Sequence, residues 1–156
     1  MTGAGSARVR RARVADLAHL ANLASEHAAY EGATPPPTDL ARRLATLLFG
    51  TENPRLRCFV AELDDGDIIG YATCAPEVST WDGAEYLHMD CLFLREGHRG
   101  RKVGPLLMEA VLAEARALGL GQIQWQTPPW NADAIRFYDR LGAQAKEKVR
   151  YHLSVG

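Results

Sequence analysis

LHMDCLFLREGHRGRKVGPLLMEAVL, residues 87–112, is the stretch from which the rest of the chain can be read. The apolar run Leu87 to Leu94 predicts a buried strand. A basic segment with Gly100 and Gly104 follows, and beyond it the apolar spacing is that of an amphipathic helix. A helix start leaves backbone N–H groups without intrahelical acceptors at its positive end, so a strand, a glycine-containing turn and a helix in this order can hold a phosphate. Gly100 and Gly104 permit close approach and positive φ where it is needed. Arg99, Arg101 and Lys102 add charge for a polyphosphate. Pro105 suits the first helical position, where a missing N–H costs nothing. The segment predicts a turn that grips the pyrophosphate of a large anionic cofactor.

Upstream, Met1 to Ser6 read as a frayed tail, and the alternation from Ala7 to Val14 predicts a first strand. Asp16 is a good N-cap for a helix from Leu17 to Tyr30, with Leu17, Leu20, Ala24 and Ala28 on one face. EGATPPP, residues 31–37, breaks it, and Thr38 caps a second helix through Leu48. Leu56 to Leu63 and Asp67 to Cys74 predict a hairpin around Asp64-Asp65-Gly66. Ala75 to Gly83 reads as a loop containing Trp81, and Glu85 to Leu94 as the fourth strand. Downstream, the helix from Gly104 to Leu118 stops at Gly119 and Gly121. Gln122 to Thr127 predicts a fifth strand, parallel to the fourth by a right-handed crossover. Asn131 caps a helix from Ala132 to Leu141, Gly142 ends it, and Ala143 to Val155 reads as mostly strand. The order β-α-α-β-β-β-α-β-α-β predicts one α/β (α+β) domain over residues 1–156, a mixed sheet with helices on both faces.

The 156 residues suffice for one sizeable core, and 47% hydrophobic with 24% charged residues is ordinary for a soluble globular chain. A net charge of −1 gives no global bias toward nucleic acid or a membrane surface. Cys58, Cys74 and Cys91 are scattered in apolar runs without metal-ligand spacing, which predicts no metal site and reduced thiols in a cytoplasmic setting. The opening residues lack an apolar signal core, and no apolar run is long enough to span a bilayer.

The element order and the turn together resemble the GNAT superfamily of acetyl-CoA-dependent N-acetyltransferases over nearly the whole chain. That family's turn, Q/R-x-x-G-x-G/A, falls here on Arg99-Gly100-Arg101-Lys102-Val103-Gly104. Lys102 stands where glycine is usual and needs negative φ or αL geometry. A second block, Trp130-Asn131, Ala134-Ile135, Phe137-Tyr138 and Leu141-Gly142-Ala143, lies at the family's usual distance. Within the superfamily the chain looks most like the diamine and polyamine (spermidine/spermine) branch, on Tyr30-Glu31, Ser79-Thr80-Trp81 and Asp90, which stands where that branch has a catalytic glutamate.

The resemblance implies a mostly antiparallel sheet in which strands four and five splay. It gives the pyrophosphate to amides from Arg99 to Gly104, and the pantetheine arm to Leu92, Phe93 and Leu94. Tyr138 becomes the general acid toward the sulfur, or else a core aromatic sharing a face with Ile135 and Leu141. A tyrosine near pKa 10 faces a thiol near 8.5, so full transfer is uphill by roughly 2 kcal/mol and a strong hydrogen bond to the developing thiolate is expected. Asp90, a carboxylate within an apolar strand, relays the amine proton through water, anchors a cationic substrate, or else sits at a bulge facing solvent or partners an Arg or Lys. A backbone N–H near Leu92 or Phe93 is the candidate oxyanion donor. Asn131 caps the last helix and in the family often bonds the cofactor arm as well. His88 shares a strand face with Asp90 if no bulge intervenes, and is an alternative base.

His98 flanks the turn, His19 and His27 read as helix-surface residues, and His152 belongs to a late strand. Cys91 reads as a small core residue. Glu31, Asp39, Glu77, Asp82 and Glu85, with Trp81, border an acceptor cleft in such a fold and favour a cationic amine, or are ordinary solvated charges. The implied protein is a homodimeric, cytoplasmic enzyme that acetylates a small amine. A peptide, a protein amine or an amine antibiotic are alternative acceptors, and a non-catalytic acyl-CoA binder is the alternative from another class.

Overall fold

The computed structural model describes residues 6–99 and 102–156, so Met1–Gly5, Gly100 and Arg101 lie outside the described residues. The chain runs β1 (Ala7–Arg11), a one-turn 3-10 helix (Val14–Asp16), α1 (Leu17–Tyr30), α2 (Leu40–Phe49), β2 (Arg57–Leu63), β3 (Ile68–Ser79), β4 (Ala84–Leu94), α3 (Val103–Ala117), β5 (Ile123–Gln124) and α4 (Ala132–Arg140). Residues up to Trp125 form one compact unit, and Gln126–Gly156 a second, smaller one. The sheet order is β1-β2-β3-β4-β5, antiparallel through β4 and parallel between β4 and β5.

Two tight turns set the register. At the first, Asp65 Oδ1 accepts from the Asp67 N–H at 2.9 Å and Gly66 takes φ +90°. At the second, Ser79 and Asp82 hydrogen bond side chain to side chain and Gly83 takes φ +60°. The second turn is far shorter than the loop expected over Ala75 to Gly83, because β3 runs on to Ser79. Pro76 is tolerated within the strand because β2 pairs with β3 only as far as Cys74, so beyond that point β3 has a free edge. Arg55 covers that edge by donating to the Pro76 carbonyl and pairing with Glu77.

Helices cover both faces. α1 and α2 bring Leu20, Leu23 and Leu48 onto Val60, Tyr71 and Phe93. α3 crosses the opposite face at Gly70, where an added Cβ would lie 3.4 Å from Leu107. Ion pairs on largely buried carboxylates anchor both layers. Arg10 forks onto Asp16 at 2.8 and 3.0 Å and also holds Glu62 at 2.6 Å. Arg11 and Arg57 each take one oxygen of Glu114 on α3, at 2.6 and 2.9 Å.

Several expectations need correction. Asp16 does not cap α1 with its side chain. It accepts from the Arg13 N–H at 2.7 Å and closes the preceding 3-10 turn instead. The face of α1 that meets the core includes Leu17, Leu20 and Ala24 as expected, and is completed by Leu23 and His27, which the expected face left out. Ser6 is exposed with its hydroxyl 3.4 Å from Asp64 Oδ2, and the rest of the expected tail, Met1 to Gly5, lies outside the described residues. The fifth strand is only Ile123–Gln124. Ala143 to Val155 forms no strand among the described residues. Val149, Tyr151, Leu153 and Val155 alternate as a strand face would, but all are exposed, and alternation supplies a face without supplying a ladder.

Among the described residues no helix is long and apolar enough to cross a membrane, and no group of three or more His, Cys, Asp or Glu could hold a metal ion.

Candidate active site

The site begins at an irregularity in β4. Thr73 pairs with Cys91 but the next residue, Cys74, pairs with Met89, which leaves Asp90 as the extra residue of a bulge. Bulges re-aim side chains and often stand beside active sites. Here the bulge turns Asp90 outward, and its side chain is 67% exposed rather than buried in the strand. His88 was expected on the same face only without a bulge. The bulge is present, and His88 Nε2 still lies 3.8 Å from Asp90 Oδ1. Cys91 Sγ lies 3.7 Å from Asp90 Oδ2.

The same stretch of β4 loses its other neighbour. The parallel ladder consists of Leu87↔Ile123 and His88↔Gln124, with the Leu87 N–H donating to the Gln122 carbonyl at 2.9 Å. β4 continues to Leu94, so from Met89 onward it has no strand beside it on the β5 side among the described residues. This is the splay expected between strands four and five, and it exposes a strand edge along Leu92, Phe93 and Leu94. The Phe93 ring itself is buried in the α1 layer.

After β4 the chain turns on Gly97, φ +90°, with the His98 N–H returned to the Arg95 carbonyl. Arg95 pairs with Glu26 at 2.8 Å, which braces the turn against α1. Arg99, expected to serve a phosphate, donates Nε–H to the Leu94 carbonyl at 3.1 Å and lies 4.3 Å over the Tyr30 ring. Gly100 and Arg101 lie outside the described residues. Lys102 is the N-cap of α3 at φ 64°, ψ 13°, the αL geometry that admits a side chain in the family's glycine position, and its side chain does not cap the helix. α3 starts at Val103, buried, then Gly104. Pro105 is therefore the third helical residue rather than the first, still within the turn whose N–H groups have no intrahelical acceptor. His98 Nδ1 is buried without a hydrogen-bond partner. A helix start whose N-cap side chain makes no capping hydrogen bond, with a basic residue at that N-cap, is a donor set that fits a phosphate ester.

The acidic border is less free than the sequence suggested. Asp39 is held by Arg42 and Arg43, Glu77 by Arg55, and Asp82 by the Ser79 hydroxyl. Glu31 accepts from or pairs with His27 Nε2 at 3.0 Å. Trp81 stands 95% exposed at the tip of the β3–β4 hairpin. Sequence reasoning placed His27 on the surface, yet its imidazole stacks on Phe93 with centroids 4.8 Å apart and meets the Tyr71 hydroxyl at 2.9 Å. The signal was present in the spacing Leu20, Leu23, His27, which continues one helical face.

In the smaller unit, Asn131 caps α4 as expected, its Oδ1 accepting from the Ala134 N–H at 3.3 Å. Tyr138 lies 5.4 Å from Phe137 between ring centroids, and Gly142 ends the helix at φ +85°.

Comparison with known proteins agrees with this architecture. A probable acetyltransferase of known structure superposes with a TM-score of 0.79 at 19% identity, covering 96% of this chain and 98% of that one, a likeness of fold. L-ornithine N5-acetyltransferase NATA1 of Arabidopsis thaliana is 31% identical over 100 residues, 64% of this chain and 44% of that protein. Streptothricin acetyltransferase of Streptomyces lavendulae is 35% identical over 91 residues, 58% of this chain and 46% of that protein. The chain spans about half the length of the curated relatives it matches. The pattern described as "Acetyltransferase (GNAT) family" matches residues 18–143, across both compact units. With the splayed β4–β5 pair and the turn into α3 already in place, that match makes the chain a member of the acetyltransferase (GNAT) family.

Proposed function

We propose that the protein is an N-acetyltransferase that moves an acetyl group from acetyl-CoA to the primary amine of a small, cationic molecule, by direct attack with both substrates bound. The observation that carries this reading is the β4 edge, unpaired among the described residues, which runs into a turn whose N-cap residue, Lys102, makes no side-chain capping bond. Acetyl-CoA, when bound, supplies an activated thioester carbonyl. The residues that would hold it are the amides at Val103 and Gly104 with Lys102 for the diphosphate, and the edge of Leu92, Phe93 and Leu94 for the pantetheine arm. Gly100, Arg101 and Asn131 belong to the same assignment by family resemblance.

The rest of the work falls to acids and bases of the chain. An alkylammonium with pKa near 10 is neutral in about one part in a thousand at pH 7, a cost of roughly 4 kcal/mol. Asp90, turned outward by the bulge with His88 beside it, is the group assigned to take that proton. Tyr138 is assigned to hydrogen bond the leaving sulfur. Glu31 and Trp81 are assigned to the acceptor side. Arginines already neutralise Asp39 and Glu77, so the attraction for a cation rests mainly on Asp90 and Glu31.

A second reading keeps the chemistry and changes the acceptor to an amine-bearing antibiotic, favoured by the likeness to streptothricin acetyltransferase. A non-catalytic binder has less support, because Lys102 already takes the αL conformation that a glycine would take there.

The test is a thiol-release assay with acetyl-CoA against L-ornithine, polyamines, streptothricin and short peptides. Turnover with at least one small amine is expected. Tyr138→Phe should lower kcat about tenfold or more and leave acetyl-CoA affinity unchanged. Tight acetyl-CoA binding with no turnover on any amine would sink the catalytic reading.

A further inference from the structure

The free edge of β4 offers fewer hydrogen-bonding groups than its length suggests, because consecutive residues of a strand turn their backbone groups to opposite sides. The Arg95 N–H donates to the Ile69 carbonyl beside it on β3, at 2.8 Å. Among the described residues no peptide bond is cis, and in a trans peptide the C=O and N–H point opposite ways. The Leu94 carbonyl therefore faces away from β3. The Phe93 carbonyl oxygen lies against Gly70 on β3, 2.8 Å from where a Cβ there would stand. The Leu94 N–H, across the same peptide, therefore faces away from β3 as well. Alternation turns both backbone groups of Phe93 toward its β3 partner Tyr71, and both of Leu92 to the open side.

One of the outward groups is already occupied. Arg99 folds its side chain back across the turn and donates Nε–H to the Leu94 carbonyl at 3.1 Å. Two rings seat it there. The guanidinium carbon lies 4.3 Å over the Tyr30 ring at the end of α1 and 5.5 Å over the Phe93 ring. The Phe93 ring is in turn stacked on His27, with centroids 4.8 Å apart. What remains open over Leu92–Leu94 is the N–H and C=O of Leu92 and the N–H of Leu94.

We propose that Arg99 is a positioning residue that sets the register of the acyl donor's arm on β4, by closing the Leu94 carbonyl to it. This rests on the reading of the protein as an acetyl-CoA-dependent amine acetyltransferase. Outward groups recur at every second residue, so neighbouring registers along the edge lie about 7 Å apart. Reacting atoms have to stand about 3–3.5 Å apart, so a slip of one register leaves a thioester out of reach of the amine. With the Leu94 carbonyl closed, an arm amide brought to it would keep its N–H unpaired, which disfavours the slipped register. Arg99 touches no reacting atom. Its side chain serves the arm rather than the diphosphate.

The test compares the full-length wild type with Arg99→Gln and Arg99→Met. The donors are acetyl-CoA and S-acetylpantetheine, each taken to saturation. The acceptor is whichever of L-ornithine, spermidine or streptothricin the wild type acetylates fastest. Glutamine carries an N–H donor on Cδ, the carbon that bears Nε in arginine, and has no charge. Methionine keeps an unbranched stem of the same length and has no such donor. In Arg99→Met, kcat and KM should fall together by about tenfold with both donors, because a slipped donor is bound without reacting. Arg99→Gln, the conservative variant, should recover most of that loss. S-acetylpantetheine has no diphosphate, so an equal loss with both donors assigns the effect to the arm. A KM for acetyl-CoA that rises in both variants, with S-acetylpantetheine unaffected, makes Arg99 a diphosphate ligand and overturns the proposal. An equal loss in Arg99→Gln and Arg99→Met overturns the carbonyl cap. Variants that keep the wild-type kcat overturn the register role and leave the acetyltransferase reading standing. A wild type that acetylates none of the three amines overturns that reading, and the register role with it.

Two readouts need no turnover. In 13C spectra of the protein without substrates, the Leu94 carbonyl should shift in Arg99→Met and hold in Arg99→Gln, and a carbonyl unmoved in Arg99→Met overturns the cap. In hydrogen exchange the Phe93 amide should be protected in the free protein, and the Leu92 and Leu94 amides only after coenzyme A is added. Coenzyme A that protects neither removes the arm from this edge and overturns the proposal.

Discussion

Lys102→Gly isolates the backbone at the one non-glycine residue with positive φ among those described, at φ 64°. A side-chain-bearing residue in the αL region costs roughly 1–2 kcal/mol relative to the right-handed one. Glycine escapes that strain but gives up about 0.5–1 kcal/mol more conformational entropy on folding. The difference predicts a gain of roughly 0.5–1 kcal/mol for Lys102→Gly. In a chain of this size, that is a rise in Tm of about 1–4 °C. Lys102→Ala keeps the strain and loses the ammonium, so its Tm should match the wild type. Differential scanning calorimetry of the three proteins measures the stability. Acetyl-CoA titration separates the second role of the residue. Both variants lack the same charge, so both should bind acetyl-CoA more weakly, and by the same factor, if Lys102 meets the diphosphate. Equal melting temperatures for Lys102→Gly and Lys102→Ala would refute the αL cap. A wild-type affinity in both would remove Lys102 from the cofactor site.

Gly70→Ala places a methyl 2.5 Å from Leu94 Cδ2 and 2.8 Å from the Phe93 carbonyl oxygen, so β4 must move. Urea melts should show a loss of about 1–3 kcal/mol, with a weakened acetyl-CoA affinity because the displaced edge is the one assigned to the pantetheine arm. Glu114→Gln leaves Arg11 and Arg57 sharing a neutral partner, and should cost about 2–4 kcal/mol in the same assay. Burial by itself would raise the Asp16 carboxyl, but the Arg10 guanidinium and the Arg13 N–H outweigh it and hold the group below the usual carboxylate range. A depressed folded-state pKa stabilises above the unfolded value, near 3.9, and that stability is lost as pH falls through the folded value. The stability gap between wild type and Asp16→Asn should therefore be full at pH 7 and close in acid, as followed by urea melts at a series of pH values.

Residues with a local physical signature were legible in the sequence. α1 runs from Leu17 to Tyr30 as its periodicity predicts, Asp65 and Gly66 make the hairpin, and Asn131 and Gly142 bound α4. Features that depend on a distant partner were not. Pro76 reads as a strand breaker until the end of β2 at that point is known. The bulge at Asp90 is one residue of mismatch between two strands, and neither strand carries it in its own pattern. The alternation of Val149, Tyr151, Leu153 and Val155 promised a strand that finds no ladder. Within the site, the turn after β4 and the presence of a carboxylate in that strand were readable, and the outward direction of the carboxylate was not. The contact of His27 with Tyr71 was not readable either, because it joins a helix and a strand that only the packing of α1 on the sheet brings together.

The clamp on Glu114 also constrains the order in which the molecule can assemble. Arg11 and Glu114 lie 103 positions apart, and Arg57 and Glu114 57. Closing the longer of these loops costs roughly 4 kcal/mol of chain entropy, which must be met before either contact returns anything. A nascent chain that has made β1, β2 and β3 but not yet α3 therefore carries two guanidinium groups with no counter-charge on an uncovered sheet face. Completion of α3 is the step that ties β1 and β2 together from that face, and a ribosome-stalled fragment ending before Glu114 should remain protease-sensitive across that face.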